Sequence, residues 1–281
     1  MAITGWMERV LFPGAALNRD KLRREIQGKT ILITGASSGI GEQAAYMLAD
    51  SGAHLVLVAR RAEKLEAMKA ELEARGARVS VHPADLRNEE QLEGLIAYLR
   101  ALPDGLDIIV SNAGHSIRRS IFESLDRYHD FARTMALHYS APVRLLLAMI
   151  PVLERRQGHI IHISTINTLL IPFPYWAAYQ ASKAAFDTWF QAVMPELRAR
   201  GIAATSIYLP LVRTPMIMPT AAYRKLPAMS PQQAARVIGR AICTRRKVWK
   251  PWWLIFGQLG SVLFRGSWER HVPRMLRKKG R

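Results

Sequence analysis

The stretch Ile31-Leu32-Ile33-Thr34-Gly35-Ala36-Ser37-Ser38-Gly39-Ile40-Gly41 constrains this chain more than any other. It begins as an apolar, β-branched run, which reads as a buried strand. The run then breaks into small residues, and residues 42–48 continue as a helix. A strand, a glycine turn and a helix in that order make a phosphate site. Glycine lets the backbone turn tightly and approach an anion, and the helix N-terminus offers unpaired N–H groups and a positive dipole end. The three glycines are spaced GxxxGxG rather than GxGxxG.

Downstream, strands alternate with helices. Residues 54–59, 77–82, 106–110, 159–163 and 202–209 read as further strands, and 62–75, 89–102, 121–155 and 175–200 as helices, with a break at Pro142. This order gives an α/β fold: a Rossmann-like, doubly wound parallel sheet with helices on both faces. A chain of 281 residues, 49% hydrophobic, holds such a domain at 28–244. An amphipathic extension at 1–27 precedes it, and a basic, Trp-rich tail at 245–281 follows. Ligands of such sheets bind outside the carboxyl ends of the strands. The polar or glycine-rich clusters 34–41, Asp85, 112–114, Ser164-Thr165 and 210–214 all follow strands, so they converge on one crevice.

Tyr179 and Lys183 stand four residues apart on a helix and share a face. A phenol titrates near ~10 and is a poor acid–base group at neutral pH. An ammonium alongside favours the phenolate and brings that pKa down toward the working range.

TGASSGIG, SNAG and YQASK, in that order, resemble the ordered signatures of the short-chain dehydrogenase/reductase superfamily over residues 29–240. The resemblance implies that Gly35, Ser37, Gly39 and Ile40, with Ser38 in the same turn, cradle a pyrophosphate. Asp85 and Leu86 flank the adenine, Asn112, Ala113 and Gly114 brace the site, and Val212 and Thr214 complete the cofactor set. Tyr179 donates a proton to the carbonyl oxygen, and Lys183 holds the nicotinamide ribose and lowers the tyrosine pKa. A hydroxyl at the end of the fifth strand, Thr165 or Ser164, binds the carbonyl. No metal is implied. Enzymes selecting NAD place an acid after the second strand for the ribose hydroxyls. Here Ala59 is followed by Arg60 and Arg61, and a guanidinium suits a 2′-phosphate, so the expected cofactor is NADP, read by Arg60.

A narrower likeness runs through residues 111–119, 126–131 and 210–216, which resemble the bacterial fatty acyl-CoA reductases of short-chain type. It implies NADPH-dependent reduction of a long-chain lipid carbonyl, a fatty acyl-CoA or fatty aldehyde. Alternatives are an alcohol or ketone dehydrogenase for a steroid or other bulky hydrophobic molecule, and a membrane-attached cofactor-binding homologue with little turnover. The chain departs from the superfamily pattern at several places. The serine pair reads Ser164-Thr165, and the gap of 14 residues from Thr165 to Tyr179 is longer than usual by one. The helix asparagine that supports a relay water aligns with His138, which either relays protons or packs as a structural residue. Pro-Gly after the sixth strand reads Leu209-Pro210.

The long, proline-punctuated apolar segment 166–176 and the Met- and Tyr-bearing segment 215–227 suit a flexible acyl chain at a mobile entrance. The formal charge is +18, and 11 of the 40 basic residues but one of the 22 acids lie in 245–281, with four of the seven tryptophans. That composition suits an anionic membrane surface; the alternatives are a solvated basic face, or apolar residues packed on the body or across a subunit interface with only the charges outside, and no nucleic-acid recognition module is visible. A cut near Arg246 is expected to leave the body folded. No stretch approaches the roughly 20 apolar residues of a membrane span, no secretory signal is recognised, and the single Cys243 fits a reducing compartment. The expected setting is cytoplasmic, peripheral on the inner face of the membrane, as a homodimer or homotetramer through the 121–155 and 175–200 helices.

Overall fold

Every residue of the first two strands is buried, as strands covered on both faces require. The computed structural model describes residues 7, 8, 10–12, 16–218, 223 and 226–279. Within them the chain enters through α1 (Arg19–Ile26), whose N-terminus is capped by the Asn18 side chain accepting the Lys21 N–H at 2.8 Å. The first half follows as β1 (Thr30–Thr34), α2 (Gly39–Leu48), β2 (His54–Ala59), α3 (Ala62–Glu73) and β3 (Arg78–Pro83). Next come α4 (Glu89–Arg100) and β4 (Ile108–Ser111). One continuous helix is then made of α5 (Tyr128–Met135), a π turn (Ala136–Ser140) and α6 (Ala141–Arg155). The chain closes with β5 (His159–Thr165), α7 (Ala177–Ala199), β6 (Ala203–Leu209), α8 (Pro231–Thr244), β7 (Val248–Trp249), α9 (Leu254–Leu263) and α10 (Arg265–Lys279).

The seven strands pair in parallel in the order β3-β2-β1-β4-β5-β6-β7. Alternate residues of each strand serve opposite layers. Ile31 and Ile33 of β1 pack with α1, α2, α3 and α8 on one face, whereas Leu32 packs with α4, α6 and α7 on the other. The chain runs outward in one direction from β1 to β3 and in the other from β4 to β7. The crevice at this reversal opens over the carboxyl ends of β1 and β4.

Four features differ from the sequence reading. The helix does not break at Pro142. Proline has no N–H to offer the His138 carbonyl four residues back, and the π turn just before it absorbs the mismatch. The resulting helix, Tyr128–Arg155, is long and apolar enough to cross a membrane by length and composition, with mean hydropathy 1.5 over a window of 18 residues, where no such stretch was expected. Its Leu145, Leu146, Met149 and Leu153 are buried on the sheet, so one face of the helix forms core, while 33% of the apolar window as a whole is buried.

Third, residues beyond 244 do not hang free. Val248 and Trp249 extend the sheet beside Ser206 and Ile207, and Leu254 is fully buried. A two-residue strand has too little periodicity to be read in sequence. A cut near Arg246 removes that edge strand and uncovers the wall against which Leu254 packs, so it no longer counts as a neutral truncation. Fourth, the amphipathic start is clasped to the same region: Phe12 is buried beside Trp253, and the Trp253 Nε1 donates to the Leu11 carbonyl at 3.0 Å. Trp6, Arg9 and Pro13 of that segment lie outside the described residues, as do residues 219–222, 224 and 225 of the expected entrance and Arg281 of the tail.

Candidate active site

The glycine turn is tied to the end of β4. Thr34 Oγ1 accepts the N–H groups of Asn112 and Ala113, both at 3.0 Å, and Asn112 Nδ2 donates to the Thr34 carbonyl at 2.9 Å. Gly35 and Gly39 have φ of 68° and 61°, the left-handed region that side chains resist. A Cβ on Gly39 would meet Thr214 Cγ2 at 2.9 Å, and one on Gly41 would meet Asn112 Nδ2 at 2.8 Å. The three glycines therefore let the turn pack closely against Asn112 and Thr214 and leave its own backbone uncovered by side chains, as a cradle. Ser38, at the N-cap of α2, makes no side-chain capping bond, so the first N–H groups of α2 are left for an anion. A dinucleotide pyrophosphate fits this cradle.

Arg61 bends back over the turn, donating from Nη2 to Ser37 Oγ at 2.9 Å and to the Ser37 carbonyl at 3.0 Å. Arg60 lines the same trench. Further along, Arg87 grips Asp85 through bonds of 2.9 and 2.6 Å, which hold the Asp85 carboxyl below the usual carboxylate range. All the cofactor residues expected from the sequence, from Gly35 to Thr214, line one continuous cavity of about 1230 Å³ together with Ser164, Thr165, Tyr179 and Lys183.

At the carboxyl end of β5 the strand pleat separates two neighbouring hydroxyls. Thr165 is the one whose hydroxyl faces the Tyr179 phenol closely enough to favour its ionised form. Ser164 is buried on the other side, 3.4 Å from Thr168 Oγ1 and close to the Asp187 carboxylate. One turn of α7 below Tyr179, Lys183 donates to the Ile163 carbonyl at 3.1 Å. Burial pushes the Tyr179 phenol up to about 12, with the Thr165 hydroxyl alone pulling it down. This is opposite to the lowered pKa expected from the Tyr-Lys pair: loss of solvent outweighs any help from an ammonium that is turned toward the strand. Lys183 is itself pulled down to about 8 by burial, and the Asp187 charge opposes that fall. Asp187, raised by its own burial, accepts bonds from Gln191 at 2.8 Å and Tyr208 at 3.2 Å.

His138 packs edge-on to Tyr179, ring centres 5.7 Å apart. Both its nitrogens are engaged, Nε2 accepting the His115 N–H at 2.9 Å and Nδ1 bonded to Ser182 Oγ at 2.8 Å. Of the two sequence alternatives for this residue, the geometry leaves the packed one.

Beyond the cofactor trench the cavity opens into a chamber. Phe173, Trp176, Met216 and Tyr223 form one side, with Trp176 and Tyr223 stacked at 5.6 Å. Tyr175, at the rim, holds a left-handed φ of 71°, fixed by the Arg119 N–H on its carbonyl and by the Arg118 guanidinium 4.8 Å over its ring. The opposite side was not expected. Phe264, Trp268, Val272 and Leu276 of α10 and its lead-in line the chamber, with Trp268 edge-on to Phe173 at 5.1 Å. Their spacing by four was the available signal, but the surrounding basic residues gave the segment the look of a surface tail.

A family description of short chain dehydrogenases matches residues 29–225. The chain is 46% identical over 226 residues to a fatty acyl-CoA reductase of Acinetobacter baylyi, covering 80% of this chain and 76% of that protein. It is 40% identical over 241 residues to a fatty acyl-CoA reductase of Mycobacterium tuberculosis, covering 85% and 82%. Among solved structures, a short-chain dehydrogenase from Sphingobium yanoikuyae in complex with NADPH superposes with a TM-score of 0.72 at 28% identity, covering 78% of this chain and 86% of that one.

Proposed function

The chain belongs to the short-chain dehydrogenase family and is an NADP-dependent oxidoreductase, and from that premise we propose that it reduces the carbonyl of a long-chain acyl substrate, a fatty acyl-CoA or a fatty aldehyde. The single observation that carries the substrate reading is the apolar and aromatic chamber that continues from the cofactor trench past Tyr179. Aromatic and aliphatic residues dominate its walls, with Asn167, Ser267 and His271 among the polar residues beside them, which suits an alkyl chain better than a sugar.

In this reading Gly35, Ser37, Ser38, Gly39 and Ile40 hold the pyrophosphate, and Arg60 reads the 2′-phosphate beside the Arg61–Ser37 clamp. Asp85 and Leu86 flank the adenine. Asn112, Ala113 and Gly114 brace the trench, and Val212 and Thr214 close its far side. When bound, NADPH supplies the hydride. Thr165 fixes the substrate carbonyl oxygen against the phenol. Tyr179 donates its proton to that oxygen as negative charge develops there. Lys183 holds the nicotinamide ribose and stabilises the phenolate left behind. Ser164, turned toward Thr168 and Asp187, supports the floor of the site.

Exposed Met135 and Leu147 on the Tyr128–Arg155 helix support a homodimer or homotetramer built on that helix and α7. A cytoplasmic enzyme, peripheral at the inner face of the membrane, would meet an acyl substrate of this class where it partitions into lipid. The cavity volume of about 1230 Å³ also leaves room for a steroid-sized ketone, the second reading. The deciding experiment is NADPH consumption with a panel of acyl-CoAs, aldehydes and bulky ketones. Turnover rising with acyl chain length supports the first reading. Preference for the ketones selects the second, and no turnover of any member leaves a cofactor-binding protein.

A further inference from the structure

Helix α9 is built inside out. Its large apolar side chains Ile255, Phe256, Leu259, Val262 and Leu263 are 51–76% exposed. The face turned to the body is mostly small or polar. Gly257 lies where a Cβ would come within 3.2 Å of Leu170, and Ser261 Oγ accepts the Ile171 N–H at 3.1 Å. The exposed positions recur at helical spacing, so they form one stripe. In water such a helix forfeits the burial that the reverse orientation would gain, and an apolar face of this extent marks a surface that something covers.

Length and charge select what covers it. Ten residues of helix reach ~15 Å, about half of a ~30 Å hydrocarbon core, so α9 can lie in a membrane interface but not cross it. Lys250 precedes the stripe, and Arg265, Arg270, Arg274 and Arg277 follow it. The one acid between residues 245 and 277, Glu269, is occupied by Arg265 at 3.1 Å. Two copies of this face would oppose like charges, whereas anionic headgroups neutralise it. Phe264 ends the stripe and also lines the chamber while 66% exposed. The stripe therefore runs into the mouth of the cavity.

We propose that α9 docks on the surface of an anionic lipid bilayer, its stripe among the acyl chains, and holds the cavity mouth at Phe264 open toward the membrane, so that substrate enters the chamber from the lipid. The docking stands on the exposed stripe and its charges; the entry route rests on the long-chain reading of the substrate.

The test uses the full chain, co-sedimented with phosphatidylcholine vesicles and with vesicles containing phosphatidylglycerol, beside a variant carrying Phe256→Ser, Val262→Ser and Leu263→Ser. The parent is expected to sediment with the anionic vesicles, weakly with the neutral ones, and to release in part as salt rises toward ~1 M. The variant is expected to bind roughly tenfold more weakly or less, with NADPH affinity unchanged as the measure of an intact fold. A parent that ignores anionic vesicles at low salt overturns the proposal, as does a variant that binds them as tightly as the parent. Loss of oligomer in the variant without any vesicle binding by the parent makes the stripe a contact between copies. If vesicle binding behaves as expected but no acyl substrate is reduced, the docking stands and the substrate reading falls.

Discussion

His138 and Ser182 are joined across two helices by a 2.8 Å hydrogen bond, and that bond leaves the imidazole nothing free to offer a substrate. Because Nε2 accepts the His115 N–H, the proton sits on Nδ1, facing Ser182. Burial, aided by the Lys183 charge, holds the ring neutral far below its usual titration range. The residue is a strut between the loop after β4, the π turn and α7. His138→Ala removes the acceptor of the His115 N–H and one of the two partners of Ser182 Oγ, whose bond to the Tyr179 carbonyl remains, and is expected to cost about 1–3 kcal/mol of stability, read as a lower urea midpoint at unchanged slope. A melt identical to the parent's would show that the strut contributes nothing.

Tyr179→Phe removes the proposed proton donor and leaves the trench intact. Turnover is expected to fall ~10³-fold or more, with NADPH binding by fluorescence titration retained. Most of the activity surviving would exclude Tyr179 as the acid.

The two hydroxyls at the end of β5 should separate cleanly. The Thr165 hydroxyl faces Tyr179 and Ser164 faces Thr168. Thr165→Val is expected to lower kcat ~10²-fold, and Ser164→Ala only a few-fold, since it loses a long bond in the floor. The opposite ranking in steady-state kinetics would reassign the carbonyl contact.

Titration of Lys183 should set the alkaline limit of reduction. With its pKa pulled down to about 8, the ammonium is present below that pH and lost above it. Tyr179, pushed up to about 12, keeps its proton throughout that range. The kcat/KM for reduction is therefore flat below about pH 8 and then falls roughly tenfold per unit. Asp187 opposes the fall of the Lys183 pKa, so Asp187→Asn should move the limb to lower pH. A rate that climbs through this range, or a limb that Asp187→Asn leaves in place, contradicts the assignment.

Arg60→Asp removes a phosphate partner and adds a carboxylate that suits ribose hydroxyls. The ratio of kcat/KM for NADPH over NADH is expected to drop ~10- to 100-fold, the worth of one charge-assisted bond. Arg61→Ala should raise the KM for both cofactors, because Arg61 grips Ser37 of the turn that both share. An unchanged preference in Arg60→Asp would hand the 2′-phosphate to Arg61.

What the amino-acid sequence determined by itself was local or periodic. The glycine turn, the alternation of strand and helix and the four-residue step from Tyr179 to Lys183 are each written within a dozen residues, and backbone geometry converts them into a crevice at strand ends. The expected cofactor and active-site residues line one cavity for that reason. The tertiary structure decided everything that depends on which face meets which neighbour. Thr165 rather than Ser164 reaches Tyr179 because the pleat sends adjacent side chains apart and only the packed α7 says which side is the site. His138 became a strut because its partners lie 23 and 44 residues away. Two residues, Val248 and Trp249, joined the sheet only because β6 offered an unpaired edge. In α9 and α10 the sequence showed apolar, aromatic and basic residues interleaved, but hydropathy carries no direction. Only the placement of Ser261 against Ile171 and of Trp268 against Phe173 turned one helix outward and made the other a wall.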